Sequence, residues 1–291
     1  LNLAIIANPI AGGGRPFKRL RRHIQHWRHP DWKVELHPTR CAEHAGVLAL
    51  DLLEKPPDLL AICGGDGTLH EVASSLPRPP FPVALLPAGT GNVMAREINL
   101  PLNPIAALEI ALKREVRNID IGLLSGRGSR HFLLMTGVGL DAYVVSKVRP
   151  ERRRLGLASY YLATLRAVLA YSFPVFCVHI QDETIAATSC VIANARTYGG
   201  GLVLNPDAAM DDGQLDILLV KSASRGDTVR FLLSAWFGKP RHDSWIERRR
   251  TPAVRIEGPR GIWVQADGEP VGTLPVDVTL VPQAFPLVVP E

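Results

Sequence analysis

No apolar run in this 291-residue chain approaches the length of a bilayer span, and no secretory leader is visible. The sequence opens at Leu1, which reads as a trimmed start. Cysteine is scarce. Cys41, Cys63, Cys177 and Cys190 lie far apart with no paired spacing, which argues against a disulfide framework or a zinc site. They read as buried thiols of a protein in a reducing cytosol. No Gly-Lys-Ser/Thr follows any glycine loop, so a Walker loop is excluded, and no Gly-x-Gly-x-x-Gly spacing marks a dinucleotide fold. Repeats and low-complexity segments are absent.

What is present is an ordinary globular composition, with 46% apolar and 21% charged residues, enough for a full core in one large domain or two smaller ones. The net charge of +5 is concentrated locally: Lys147 to Arg154 carries five basic residues, and Lys239 to Arg250 another five. Such clusters suit an anionic surface. His23, His26 and His29 are spaced by three, but no fourth ligand is evident and they read as surface polar residues.

Up to about residue 118 the chain alternates strand and helix. Apolar runs at 3–7, 32–37, 59–63 and 82–86 are each followed by a small-residue loop and a helical pattern, which predicts a doubly wound α/β domain. Beyond it, short alternating runs joined by Gly, Asp and Pro turns predict an antiparallel β-sandwich over 119–281. Helical stretches interrupt it at Gly156 to Tyr171 and Arg225 to Phe237. The final apolar run, within 282–291, is expected to pack back on the first domain.

Three predicted parallel strands end in glycine-bearing loops. The first holds Asn8 with Gly12, Gly13 and Gly14; the second is Gly64-Gly65-Asp66-Gly67-Thr68; the third is Pro87-Ala88-Gly89-Thr90-Gly91-Asn92. In a doubly wound sheet such loops share the carboxyl edge of the strands, where backbone N–H groups and a helix N-terminus can hold phosphate. Asp66 does not attract phosphate. An acid there points to a metal or to a hydroxyl that must lose its proton.

These loops resemble the nucleotide loops of the diacylglycerol kinase catalytic-domain family, which includes bacterial lipid kinases, sphingosine kinases and ceramide kinases. The likeness continues through Gly137-Val138-Gly139-Leu140-Asp141, through Asn194 and Gly199-Gly200-Gly201 with Pro206-Asp207-Ala208, and through Asp211-Asp212-Gly213 to Asp267-Gly268-Glu269. The resemblance implies an NAD kinase/phosphofructokinase-like first domain and ATP- and Mg²⁺-dependent phosphorylation of a lipid hydroxyl. Diacylglycerol, sphingosine and phosphatidylglycerol are candidate acceptors, in phospholipid metabolism. It implies nucleotide contacts at Asn8, Gly12 to Gly14, Thr39, Gly64, Gly65, Asp66, Gly67, Thr68 and Thr90. It implies catalysis by Asp267 and Glu269 with Asp66 in the same network, and a structural metal at Asp212 with the carbonyls of Ala209 and Gln214.

From below, phosphoryl transfer needs charge neutralisation and in-line placement, plus a carboxylate near the acceptor hydroxyl. Which acid is the base stays open between Glu269 and Asp267. Asn92-Val93 stands where many members carry Asn-Asp, and His70 where many bacterial members carry Asn; sphingosine-type kinases resemble this chain at both places. The expectation is a cytoplasmic enzyme, peripheral and transient at the inner membrane face, with no nucleic-acid partner and with a homodimer left open. The rivals are an NAD kinase-like enzyme and a non-catalytic lipid- or nucleotide-binding regulator.

Overall fold

The computed structural model describes residues 1–27, 29–126, 128–147, 157–198, 202–221, 224–236 and 243–291, with the side chains of 157–163, 202, 232, 235 and 236 set aside. Gly199 to Gly201, most of the 147–154 basic cluster, the 239–242 part of the second cluster and Phe237 lie outside the described residues. The chain forms two compact units: Leu1–Ile119 with Gln283–Glu291, and Asp120–Pro282.

The first unit runs β1 (Asn2–Ala7), α1 (Arg15–His26), β2 (Lys33–Pro38), α2 (His44–Asp51), β3 (Leu59–Gly64), α3 (Asp66–Ser75), β4 (Val83–Pro87), α4 (Val93–Glu97) and α5 (Pro104–Ala111). The strands are parallel in the order β2-β1-β3-β4. β3 and β4 are buried throughout, as parallel strands covered on both faces must be, and edge strand β2 is half-exposed. β1 lies between β2 and β3, so the order reverses there. In open α/β sheets such a switch point is where ligands bind, beyond the carboxyl ends of the strands. The chain's last strand adds Leu287 in parallel beside Val83, and Phe285, Leu287 and Val288 are buried.

The second unit is entered along β5 (Val116–Ser125). It continues through β6 (Ser129–Phe132), β7 (Met135–Gly139), α6 (Leu140–Lys147), α7 (Leu157–Ala170), β8 (Phe176–Ile180), β9 (Glu183–Ala187), β10 (Ser189–Ala193), β11 (Thr197–Tyr198) and β12 (Leu202–Val203). It closes with β13 (Leu215–Val220), α8 (Arg225–Trp236), β14 (Ile246–Thr251), β15 (Ala253–Glu257), β16 (Trp263–Ala266), β17 (Glu269–Thr273) and β18 (Val276–Val288), which returns to the first unit. One antiparallel sheet has the order β14-β13-β10-β7-β16-β17. Opposite it, β15 pairs with β8 and with the first half of β18. Val138, Ile192, Ile217 and Val264 of the first sheet pack with Val178, Ile256 and Val278 of the second, forming the sandwich core.

The reading of all four cysteines as buried thiols is corrected. Cys63 and Cys190 are buried in strands, but Cys41 lies in a surface turn and Cys177 on the solvent side of β8, and both are exposed. All four are free. No described helix is long and apolar enough to cross a membrane.

Candidate active site

In the first unit the three glycine loops converge on the switch point. The Asn8 N–H donates to the Cys63 carbonyl (2.8 Å) and the Ala88 N–H to the Gly64 carbonyl (2.8 Å), so each loop leaves its strand tied to the next. Gly65 and Gly89 press backbone to backbone: a Cβ on Gly89 would stand 2.6 Å from the Gly65 Cα. A Cβ on Gly12 would stand 2.4 Å from the Ala88 carbonyl oxygen. Side chains would drive these loops apart, so glycine is required for the close approach.

The polar groups brace the same place. Asn8 Oδ1 accepts the Ile10 N–H (3.1 Å), and its Nδ2 reaches Thr68 Oγ1 (3.5 Å). Thr39 is buried, with its N–H on the Ala7 carbonyl (2.8 Å). Asn92, at φ 48°, closes the third loop through a pair of 2.9 Å bonds to the N–H and carbonyl of Gly89. Asp66 Oδ1 accepts the Met94 N–H (3.0 Å), so this acid caps α4 from across the loops. α3 opens at Asp66 with no side-chain cap on Gly65, leaving first-turn donors on the loop side. Gly67 and Thr90 are exposed there.

In the second unit, β16 and β17 pair Ala266 with Glu269 across a two-residue loop. Asp267 (φ 45°) and Gly268 (φ 81°) both have positive φ, as a type I′ hairpin demands. The Asp267 carboxylate accepts three backbone N–H groups: Leu133 (2.7 Å), Leu134 (2.9 Å) and Met135 (3.0 Å). Asn194, fully buried, holds the same turn by donating to the Leu133 carbonyl (2.9 Å) and to that of Asp120 (2.8 Å). Glu269 is part-exposed and ion-paired with Arg130 of β6. Sequence reasoning missed Arg130: it lies 139 positions from Glu269 and carries no local motif.

An apolar cavity of about 320 Å³ lies in this unit, walled by Leu140, Val144, Val168, Val191, Leu218 and Phe231 among others. Asp141 and Tyr198 belong to its wall. Tyr198 and Gln265 each donate to the Asp141 carboxylate, whose pKa burial pushes up against the pull of these two bonds. Gly137 makes room, since a Cβ there would strike Asp141 Oδ2 at 1.8 Å.

Asp212 Oδ1 accepts the Gln214 N–H (3.0 Å), and Arg250 pairs with both Asp212 and Asp216. Asp120 Oδ2 takes the Gly213 N–H (2.8 Å), and the Asp120 N–H donates to the Met210 carbonyl (2.6 Å), which anchors the loop that carries Ala209. Asp216 Oδ2 is buried without a hydrogen-bond partner. Burial raises the Asp216 pKa; Arg250 opposes the shift, and Asp212 and Asp207 add to it. A buried carboxylate oxygen in that state fits a hard cation. Among the described residues no cluster of three or more His, Cys, Asp and Glu has metal-binding geometry.

Residues 2–124 match the diacylglycerol kinase catalytic domain, and residues 135–289 the YegS C-terminal NAD kinase beta sandwich-like domain. The chain is similar to a diacylglycerol kinase of Mycobacterium tuberculosis (strain ATCC 25618 / H37Rv), 31% identical over 98% of this chain and 94% of the relative. It is similar to the probable lipid kinase YegS-like of Pseudomonas aeruginosa (strain UCBPP-PA14), 36% identical over 72% of this chain and 68% of the relative. A crystal structure from Bacillus anthracis str. Sterne, assigned to the diacylglycerol kinases, superposes with a TM-score of 0.81 at 25% identity, covering 99% of this chain and 95% of that one.

Proposed function

Because the chain belongs to the diacylglycerol kinase catalytic-domain family, we propose that it transfers the γ-phosphoryl group of ATP, with Mg²⁺, to a lipid hydroxyl. The observation that carries the lipid part is the apolar cavity of the second unit. A nicotinamide dinucleotide would need polar partners along its length, whereas this wall is mostly aliphatic and aromatic and suits an acyl or sphingoid chain. That favours a lipid kinase over an NAD kinase-like enzyme. The enzyme would meet its acceptor as a peripheral protein at a membrane face.

ATP would supply the phosphoryl group, and bound Mg²⁺ would supply charge neutralisation for its transfer. Backbone N–H groups of Gly12 to Gly14 and of Gly64 to Gly67 would cradle the phosphates, with Asn8, Thr39, Thr68 and Thr90 beside them. Asp66, whose carboxylate caps α4, would hold the metal. Glu269 accepts the acceptor's proton, and Arg130 fixes its orientation. Asp267, occupied by three backbone N–H groups, shapes the turn that presents Glu269 and is not the base. Asp212 with the carbonyls of Ala209 and Gln214 would hold a second cation, to which the unpartnered Asp216 oxygen would also contribute.

The test is transfer from γ-labelled ATP into a total lipid extract, resolved by chromatography, with Glu269→Gln and Asp66→Asn as controls. A labelled lipid that both variants fail to make is expected. An unlabelled extract from protein that still binds ATP would sink the lipid reading, and labelling that survives Glu269→Gln would remove Glu269 from the reaction.

A further inference from the structure

Gln265 is fully buried on β16, between the cavity wall and the Asp-Gly-Glu turn. Its Nε2 donates to Asp141 Oδ2 (2.7 Å), and its Oε1 accepts the Gly268 N–H (2.7 Å). The orientation of the amide is forced. The Gly268 N–H only donates, so the amide oxygen must face it, which leaves the NH₂ for the carboxylate. The Gln265 carbonyl oxygen also accepts from Thr136 Oγ1 (2.6 Å), pinning this strand to β7. On the other side of Asp141, the Tyr198 hydroxyl donates to Oδ1, and both residues belong to the cavity wall.

A continuous relay thus runs from cavity to turn: Tyr198, Asp141, Gln265, Gly268. A buried carboxylate and amide in an otherwise apolar region cost stability relative to hydrocarbon side chains. Apolar side chains from both sheets form a contiguous packed cluster, so the paired Asp141 and Gln265 add a polar contact beside it rather than supply its packing. The relay joins two places with separate tasks, the wall that takes the acceptor chain and the turn that carries Glu269.

We propose that Gln265 is a positioning residue that locks the Asp267-Gly268-Glu269 turn to the Asp141–Tyr198 wall of the acceptor cavity, so that the acceptor's seat and the base share one rigid reference. The inference rests on the kinase reading above and deepens it. Gln265 touches neither substrate; it sets where the Glu269 carboxylate stands relative to a lipid seated in the cavity. An error of about 1 Å in such placement costs on the order of a hundredfold in rate. The effect therefore falls on kcat for lipid phosphorylation and leaves KM for ATP unchanged, since the glycine loops of the other unit do not involve this relay.

The experiment compares the wild-type chain, Gln265→Leu, Gln265→Glu, Asp141→Asn and the double change Asp141→Asn with Gln265→Glu. Each is assayed at pH 8 with labelled ATP and mixed micelles of the lipid that the wild type labels, and each is melted thermally. Gln265→Leu cuts both ends of the relay and is expected to lower kcat by tenfold to a hundredfold (on the order of the positioning penalty), with KM for ATP within about twofold. Gln265→Glu sets a second carboxylate against Asp141. The double change rebuilds every bond and reverses only the one between positions 141 and 265: the new carboxylate accepts from Gly268, as before, and from the new amide, whose oxygen accepts from Tyr198. It is expected to recover turnover to within about threefold of wild type.

If Gln265→Leu does not fold, the single and double Gln265→Glu variants decide the matter. Full kcat in Gln265→Leu, or a double variant that melts like wild type and stays slow, overturns the positioning role and leaves the kinase reading intact. A wild-type chain that labels no lipid overturns both.

Discussion

Asp267 and Glu269 flank Gly268 on one hairpin, but Asp267 accepts three backbone N–H groups while Glu269 reaches into partly open space against Arg130. The two positions therefore respond differently to the same kind of change. Asp267→Asn replaces one charged acceptor oxygen by a donor that faces an N–H group, and charge-assisted bonds of this sort contribute about 1.5–3 kcal/mol each. The expected outcome is a chain destabilised by about 2 kcal/mol in thermal or urea unfolding. Glu269→Gln disturbs a half-exposed ion pair, so its melting should stay within about 1 kcal/mol of wild type while phosphoryl transfer is lost. Loss of activity in Asp267→Asn says little about catalysis unless it is set beside that unfolding curve. The Asp-Gly pair is legible in the sequence as a hairpin turn. What the aspartate does there is not, because its partners lie 132 to 134 positions upstream.

Asp141 gives a pH test at the same scale. Burial raises its pKa from the ordinary 3.8, with Tyr198 and Gln265 opposing. The folded chain therefore holds the Asp141 proton at pH values where the unfolded chain has released it. Its contribution to stability is greatest below the unfolded value and declines as pH rises through the folded one. Asn at 141 has no proton to release and keeps the acceptor for Gln265. Melted in parallel across pH, Asp141→Asn should gain on the wild type as pH rises, by up to about 1.4 kcal/mol per pH unit between the two values. A difference independent of pH would mean that Asp141 titrates alike in both states.

The elements that the sequence made plainest are those whose pattern is local. The continuous apolar runs of β3 and β4 are strands buried on both faces, and the basic helix α1 keeps Leu20 inward among exposed arginines. The loops after β1, β3 and β4 were legible as glycine turns because three glycine clusters follow three apolar runs. Their mutual bracing was not, since the contact of Gly65 with Gly89 and of Gly12 with Ala88 is a tertiary fact. Cys177 misled for a related reason: on β8 its neighbours alternate inward and outward, and apolar surroundings in sequence do not fix which face a residue takes.

The cavity offers a test between these elements. Val191 of β10 is nearly buried and lines it. Val191→Phe places a ring in the free volume, so the fold should survive with its melting little changed. The ring competes with the acceptor chain, and KM for the lipid should rise on the order of tenfold while KM for ATP stays put. Equal losses for both substrates would mean that the cavity is not the acceptor's seat.

Across the whole molecule, the first unit is not a single stretch of chain, whereas the second is. The first unit draws on Leu1–Ile119 and again on Gln283–Glu291, with the second unit's residues inserted between. The returning segment is structural. Phe285 and Leu287 are fully buried and Val288 nearly so, Leu287 extends the parallel sheet beside Val83, and the Val289 N–H donates to the Glu115 carbonyl (2.9 Å). The Lys113–Glu291 pair at 3.3 Å is exposed at both ends and adds little. Three buried apolar side chains contribute about 1.5–3 kcal/mol each, a sum that rivals the 5–15 kcal/mol net stability of an ordinary domain. A fragment of residues 1–119 should therefore be largely unfolded or aggregated. Residues 1–119 joined through a flexible Gly/Ser linker to 283–291 should regain a cooperative thermal transition and bind ATP. Circular dichroism melts of the two fragments, with ATP titrated calorimetrically into each, check this. A cooperative transition in the short fragment would mean that the returning strand serves only to carry the chain's end, and the first unit would then be free to fold before the second is made.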